Sequence, residues 1–191
     1  MKNFNIRSIV IIIAVFGYVS IVAVLHIVQT DYDATHQLMS ELALGDYGAF
    51  MSLAFFSFAI ALFSAQQILA NYQNALPIRM MFLISSCSFA GAGVFDLGKY
   101  TNLHILLVAV AFILIVLSMY LLPRLIVEFH QRSTVIICWS CGLGIAIMVA
   151  SGQVLIPIGV AQRLAAGLIL IWLIWFACFH QFLLNMNKRK K

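Results

Sequence analysis

The chain of 191 residues is 64% apolar and only 9% charged, with 11 Lys plus Arg against 6 Asp plus Glu and a formal charge of +5. Water-soluble domains carry about a quarter charged residues, so a soluble fold is excluded. A helix crossing a hydrocarbon core of ~30 Å needs about 20 apolar residues; the apolar inventory therefore fits six crossings joined by short links, with no room for a separate soluble catalytic module.

Lys2 and Arg7 precede the first apolar run, 9–28, as in a signal peptide. The run is longer than a signal-peptide core and no small-x-small site closes it, so a retained helix is expected. The longest link follows, 29–45. Asp33 can cap a helix there, Leu38 and Leu42 fall one turn apart, and Gly45 offers a stop, which predicts a short amphipathic helix lying on the membrane surface. The second run, 49–70, ends in the polar stretch Asn71, Tyr72, Gln73, Asn74, and Pro77 suits the first turn of the third, 78–95. That run closes in Ala90, Gly91, Ala92 and Gly93, small residues that let another backbone approach. The fourth run, 103–122, meets Pro123 and Arg124; the fifth, 135–156, stops near Pro157 and Gly159; the sixth, 164–184, leads into Lys188, Arg189, Lys190 and Lys191. No strand-like alternation occurs, and an open sheet could not satisfy its backbone in hydrocarbon. The expected fold is all-α: six transmembrane helices forming one membrane domain over 1–191.

Charge supplies a test independent of hydropathy. If six crossings alternate sides, nine of the eleven basic residues share the face of the two termini, leaving only Lys99 and Arg163 opposite. By the positive-inside rule both termini are cytoplasmic, and the chain is expected as a multi-pass protein of the plasma or inner membrane. The acids segregate the other way: Asp31, Asp33, Glu41, Asp46 and Asp96 lie outside, with Glu128 alone inside. The basic tail beside a hydrophobic helix reads as an anchor to the bilayer rather than a nucleic-acid interface.

The outer face gathers the chemistry. Asp33, His36, Ser40 and Glu41 come from the first loop, and His26, Asp96, Lys99, His104 and Arg163 from helix ends at the same depth. In one reading these are solvated side chains among lipid headgroups, where ionisable groups cost little. In the other they line a mouth between helices that binds a small or lipid-like ligand, with Glu41, Asp96, His104 and Arg163 at the site and Asp33, His36 and Ser40 in support. Arg163 would then pair with Glu41 or Asp96, or clamp an anionic headgroup, because its planar fork suits bidentate contacts. An enzymatic variant is a lipid-modifying catalyst with His104 as general base, Asp96 or Glu41 orienting it, and Ser40 or Thr35 as nucleophile.

No metal or cofactor is indicated. His26, His36 and His104 with Asp31, Asp33 or Asp96 are zinc-type ligands, but no local spacing sets two on one face. Haem held between histidines, with His130 and His180 inside and His26 and His104 outside, is the electron-carrier alternative. Cys138 and Cys141 form a C-x-x-C among apolar neighbours, as Cys87 and Cys178 also lie in apolar runs, and such cysteines read as packing residues rather than a disulfide or redox pair.

The order of four segments resembles the small multi-pass membrane family catalogued as domain of unknown function 998. They are Tyr32-Asp33 with Ser40-Glu41-Leu42, Gly45 through Phe50, the Gly91 to Asp96 end of the third run with His104, and Gln162-Arg163. The resemblance implies a helical membrane protein with no assigned activity and draws attention to Glu41, Asp96, His104 and Arg163. This chain departs from it at Ala34 and Asp96, where members often carry proline, and at Ile105, where a glycine would leave a site more open.

Overall fold

The computed structural model describes residues 5–152 and 154–189, with side chains through 186. The elements are α1 (Ile6–Val28), a 3-10 segment (Met39–Leu44), α2 (Ala49–Leu69), α3 (Leu76–Val94), α4 (Thr101–Leu125), a 3-10 turn (Val127–Phe129), α5 (Arg132–Ser151) and α6 (Ile158–Arg189). All six α-helices are long and apolar enough to cross a membrane. Consecutive helices pack side by side, and α6 returns to α1, closing a ring in which α2 also touches α6. Large apolar side chains such as Ile13, Phe16, Ile113, Leu143 and Ile171 remain exposed around the ring. Soluble proteins rarely leave so much apolar surface bare; here it is the surface a bilayer would cover.

Lipid is as apolar as leucine, so helix association in a membrane relies on close packing and interhelical hydrogen bonds rather than on hydrophobic burial. α2 offers Ala54, Ala61 and Ala65, all fully buried. At Gly93 of α3 an added Cβ would meet the Ser52 carbonyl oxygen at 3.2 Å. Ser86 of α3 donates across to the Ala59 carbonyl of α2 at 2.8 Å, and the Ser85 hydroxyl, which donates to the Met81 carbonyl of its own helix at 2.8 Å, shares that proton with the Ala111 carbonyl of α4 at 3.3 Å.

Several element boundaries differ from the sequence expectation. Pro123 lies inside α4, which runs on to Leu125; a proline near the end of a packed helix removes one hydrogen bond without ending it. α5 stops at Ser151, five residues short of the apolar run, and the chain turns so that Gly152 and Ile156 form an isolated parallel bridge. Pro157 then begins α6, its carbonyl accepting from the Ala161 N–H at 3.0 Å. Arg163 is thereby set within the second turn of a helix instead of ahead of it.

The first loop is also corrected. Asp33 caps only its own turn, accepting from the Thr35 N–H at 2.8 Å. The helical segment starts later, is 3-10, and takes Leu38 as its N-cap, with Glu41 accepting from the Leu38 N–H at 2.9 Å. Met39, Ser40 and Leu42 are buried, because the segment inserts against α1, α2 and α6. At the opposite end of the bundle, Tyr72 and His180 share a 2.8 Å hydrogen bond, and the Asn5 N–H donates to Gln181 at 2.8 Å, tying α1, α6 and the α2–α3 link. Burial, with the Glu128 charge adding, pushes the Tyr72 hydroxyl up to about 12.

The seat of the loop is Gly159. Its N–H donates to the Thr35 carbonyl at 3.1 Å, and an added Cβ would stand 2.5 Å from the Ala34 and Gln37 carbonyl oxygens. Gly159→Ala must therefore push the loop off α6. We expect a lower melting temperature in detergent, at a cost of about 1–3 kcal/mol, whereas Gly167→Ala, with nothing within 4 Å of the new Cβ, should melt like the parent. Equal melting of all three proteins would disprove this seating.

Candidate functional site

Two polar assemblies occupy the first-loop end of the bundle, and the adjacent residues Gln162 and Arg163 of α6 each belong to one of them. Arg163 is the centre of the first. Its Nη1 donates to the Gly159 carbonyl at 2.8 Å and the Gln37 carbonyl at 3.2 Å. Its Nη2 meets His26 Nε2 at 2.9 Å and also donates to the Tyr32 hydroxyl. The guanidinium carbon sits 5.4 Å from the Tyr32 ring centroid.

Because arginine can only donate, His26 Nε2 accepts; its Nδ1 carries the proton and donates to the Val22 carbonyl at 2.6 Å. Tyr32 in turn donates to the Leu38 carbonyl at 2.8 Å. Burial holds the Tyr32 hydroxyl above its ordinary range, opposed by the Arg163 hydrogen bond. One cation thus joins α1, α6 and the first loop.

The expected pairing of Arg163 with Glu41 or Asp96 does not form. Both carboxylates are engaged locally, Glu41 by the Leu38 N–H and at 3.4 Å by Gln37 Nε2, Asp96 by the Lys99 N–H at 2.8 Å. Among the described residues the ion pair present is instead His36 with Asp33, at 2.8 Å on the exposed loop. Asp33 is held below the usual carboxylate range by the His36 hydrogen bond first and the Thr35 N–H second. Asp31, Glu41 and Asp46 line an open polar groove beside this loop.

The second assembly is a pocket of about 360 Å³ between α4, α5 and α6, bounded on the loop side by Leu38 and Ser40. Its walls are apolar, with Val108, Phe112 and Met148 prominent. Three uncharged polar side chains interrupt them: Ser40, His104 and Gln162.

His104 is 1% exposed. Its Nδ1 lies 2.9 Å from the Phe95 carbonyl, left free of a helical partner where α3 ends, and its ring meets Phe55 edge-on at 5.2 Å. Since a carbonyl only accepts, the proton sits on Nδ1, and Nε2 is a buried acceptor with no partner. Gln162 uses its Oε1 to accept from the Met39 N–H at 2.6 Å, which leaves its amide NH2 group. Below, a void of about 20 Å³ shares Ser40, Val108, Phe112 and Gln162 and reaches Tyr18 and Met39.

The four sequence-predicted site residues are therefore not brought together. His104 and Ser40 share the pocket, Arg163 and Glu41 belong to the loop assembly, and Asp96 caps a turn. Neither Asp96 nor Glu41 orients His104; the Phe95 carbonyl does, because it faces the imidazole where α3 gives way to the turn. Ile105 borders the pocket without closing it, remaining 49% exposed.

Tyr32, Gln162 and the Gln37 carbonyl are the participants in these two assemblies with the weakest sequence signal. Gln162 stands beside Arg163 in one of the segments that carry the resemblance, but no pattern shows that backbone carbonyls would replace carboxylates around Arg163. Elsewhere, Cys138 accepts from Trp172 Nε1 at 3.4 Å, as a packing residue does. Among the described residues, no three of His, Cys, Asp or Glu are grouped to hold a metal ion.

The sequence profile of the family described as "Protein of unknown function (DUF998)" matches residues 12–178. Neither a curated protein nor a solved structure matches the chain.

Arg163→Lys retains the charge but cannot reach four acceptors on three elements with a single ammonium. We expect Arg163→Lys and Arg163→Ala both to destabilise the solubilised protein by at least about 2 kcal/mol, since buried acceptors lose a charged donor. Melting of the lysine variant at the parental temperature would show that charge alone, without the fork, suffices.

Proposed function

We propose that this chain, which belongs to the DUF998 family of proteins of unknown function, binds a lipid-like ligand in the pocket between α4, α5 and α6. The observation that carries this reading is the pocket itself, whose apolar walls are interrupted by the uncharged polar side chains of Ser40, His104 and Gln162. A concave apolar pocket with a few convergent polar groups is the usual form of a small-molecule site. The volume of about 360 Å³ falls within the range such sites occupy.

Sidedness follows from charge. Arg7, Arg79, Arg124 and Arg132 lie at the end of the bundle that holds the termini, and Lys99 and Arg163 at the other. The positive-inside rule sets the termini in the cytoplasm and the pocket near the outer surface of the cell membrane. A reporter active only in the cytoplasm should be active when fused at the C-terminus and silent when fused within the Gly98–Lys99 turn; the reverse pattern would invert this topology.

Filling the pocket tests the ligand reading directly. Ala109 borders the cavity and is exposed, so Ala109→Trp can occupy space there without disturbing the core. Native mass spectrometry of protein purified in mild detergent should show a retained lipid on the parent and at least about tenfold less on the variant. Equal retention would place the bound lipid elsewhere.

A second reading, a lipid-modifying enzyme, draws on Ser40 and His104 bordering the same pocket. His104 is the general base this reading needs, with the Phe95 carbonyl fixing the ring in the required tautomer; Ser40 would have to move into reach of Nε2, which has no hydrogen-bond partner here. Covalent labelling of Ser40 by a fluorophosphonate, lost in His104→Phe, is the outcome that favours catalysis; an unlabelled parent protein counts for binding alone.

A further inference from the structure

At the far end of α4 from the pocket, we infer that Arg124, stacked on the rings of Tyr120 and Trp139, holds the phosphate of an anionic glycerophospholipid of the phosphatidylglycerol type. The site lies on the cleft between α4 and α5, at the end of the bundle that holds the termini. It does not depend on the pocket reading.

The first ground is how the cation is held. Tyr120 of α4 and Trp139 of α5 lie nearly parallel, at 6° with ring centroids 5.2 Å apart. Trp139 Nε1 donates to the Tyr120 carbonyl at 3.3 Å, which ties the indole to the neighbouring helix. The Arg124 guanidinium carbon stands 5.3 Å from the Tyr120 centroid and 5.0 Å from the Trp139 centroid. Tyr120 is one turn earlier on the same face of α4, so the side chain is turned back along the membrane-crossing helix. Ring faces attract a cation, but they offer no oxygen to its N–H groups.

The second ground is that missing oxygen. Among the described residues the Arg124 side chain makes these ring contacts and no hydrogen bond or ion pair. Other arginines are occupied: Arg7 donates to the Gln67 carbonyl at 2.9 Å, and Arg163 reaches four acceptors. Glu128, the acid in the link between α4 and α5, is exposed and makes no ion pair with Arg124. Arg124 is itself exposed, so its donors meet whatever covers this surface. At a bilayer surface that is a layer of phosphates, and the planar guanidinium fork matches two phosphate oxygens.

The third ground is the order of the surroundings. Arg132, exposed at the start of α5, lies two turns from Trp139 on the same helix face, about 10 Å along the axis. A headgroup carrying its own ammonium would meet this second cation, whereas a net negative headgroup would be drawn to both. Deeper in the cleft, Leu117 of α4 and Leu143 of α5 are 44% and 58% exposed. From the end of the bundle inward the surface therefore runs cation, aromatic, aliphatic. A phospholipid presents phosphate, glycerol and acyl chain in the same order.

The test titrates dioleoyl-phosphatidylglycerol and dioleoyl-phosphatidylcholine against the full chain, stripped of lipid in mild detergent, with binding read by native mass spectrometry. Phosphatidylglycerol should bind at least about tenfold more tightly than phosphatidylcholine, and Arg124→Gln should weaken it at least about tenfold, the ratio for one hydrogen-bonded charge. Without lipid, Arg124→Gln should melt near the parental temperature, because the side chain it replaces is exposed. Ala109→Trp should leave phosphatidylglycerol binding intact, which separates this surface from the pocket.

Equal affinity for the two lipids would overturn the anionic class. Binding that survives Arg124→Gln but falls in a Lys190→Gln, Lys191→Gln double variant would assign the lipid to the basic tail instead. A lower lipid-free melting temperature in Arg124→Gln with unchanged phosphatidylglycerol affinity would reduce the stack to a clip between α4 and α5 and sink the proposal.

Discussion

The first-loop end of this bundle depends on how one guanidinium is satisfied. Arg163 sits in the second turn of an apolar helix, where an unpaired charge would cost several kcal/mol through lost hydration. The chain answers with dipoles instead of an opposite charge: two backbone carbonyls, a neutral imidazole and a phenol. Hydrogen bonds from a charged donor contribute about 1.5–3 kcal/mol each, so four of them can offset the desolvation. Those acceptors come from α1, α6 and the loop between α1 and α2. The loop cannot leave without stranding the charge, and the charge therefore fixes the loop.

That constraint reaches the pocket through two adjacent residues. Gln162 accepts from the Met39 N–H, at the start of the 3-10 segment that holds Ser40, while Arg163 grips the Gln37 carbonyl just before it. Gly159, one turn earlier on α6, meets the same loop backbone at a distance no side chain permits. The segment 34–40 is held at three points along five residues of helix, Gly159, Gln162 and Arg163. Ser40 is thereby set at the pocket wall by backbone interactions, while charge is drawn aside to the Arg163 assembly. An uncharged cavity next to an arginine whose two terminal nitrogens are committed elsewhere follows from this division.

The lipid-facing ring around the site obeys a different logic. α2 packs through alanines, and α3 through serines that donate to neighbouring carbonyls, because burying leucine against leucine gains little when the alternative is lipid. The exposed isoleucines and phenylalanines carry the bilayer contact. α5 is the least buried of the six spans within the bundle, and the pocket opens beside it.

Much of the fold was legible in the sequence. Six apolar runs, their order and the segregation of basic residues could be read from composition and spacing, since a hydrocarbon core imposes length and polarity on each crossing. Helix ends were less legible: Pro123 did not stop α4, and α5 ended at Ser151, because prolines and apolar runs bound a helix only where packing allows. The residues of interest were also visible as a set, with His104, Ser40 and Arg163 picked out by their depth. Their grouping was not. Opposite charges in one region suggest ion pairs, yet Glu41 and Asp96 closed local turns and Arg163 turned to carbonyls, whose directions depend on how the loop folds. Sequence alone thus determined the number of crossings and the polar end of the bundle, because hydrophobic length is a property of each segment. Only the tertiary structure decided which polar groups meet and which acceptor is left unpaired, because hydrogen bonds to backbone exist only once separate segments have been brought together.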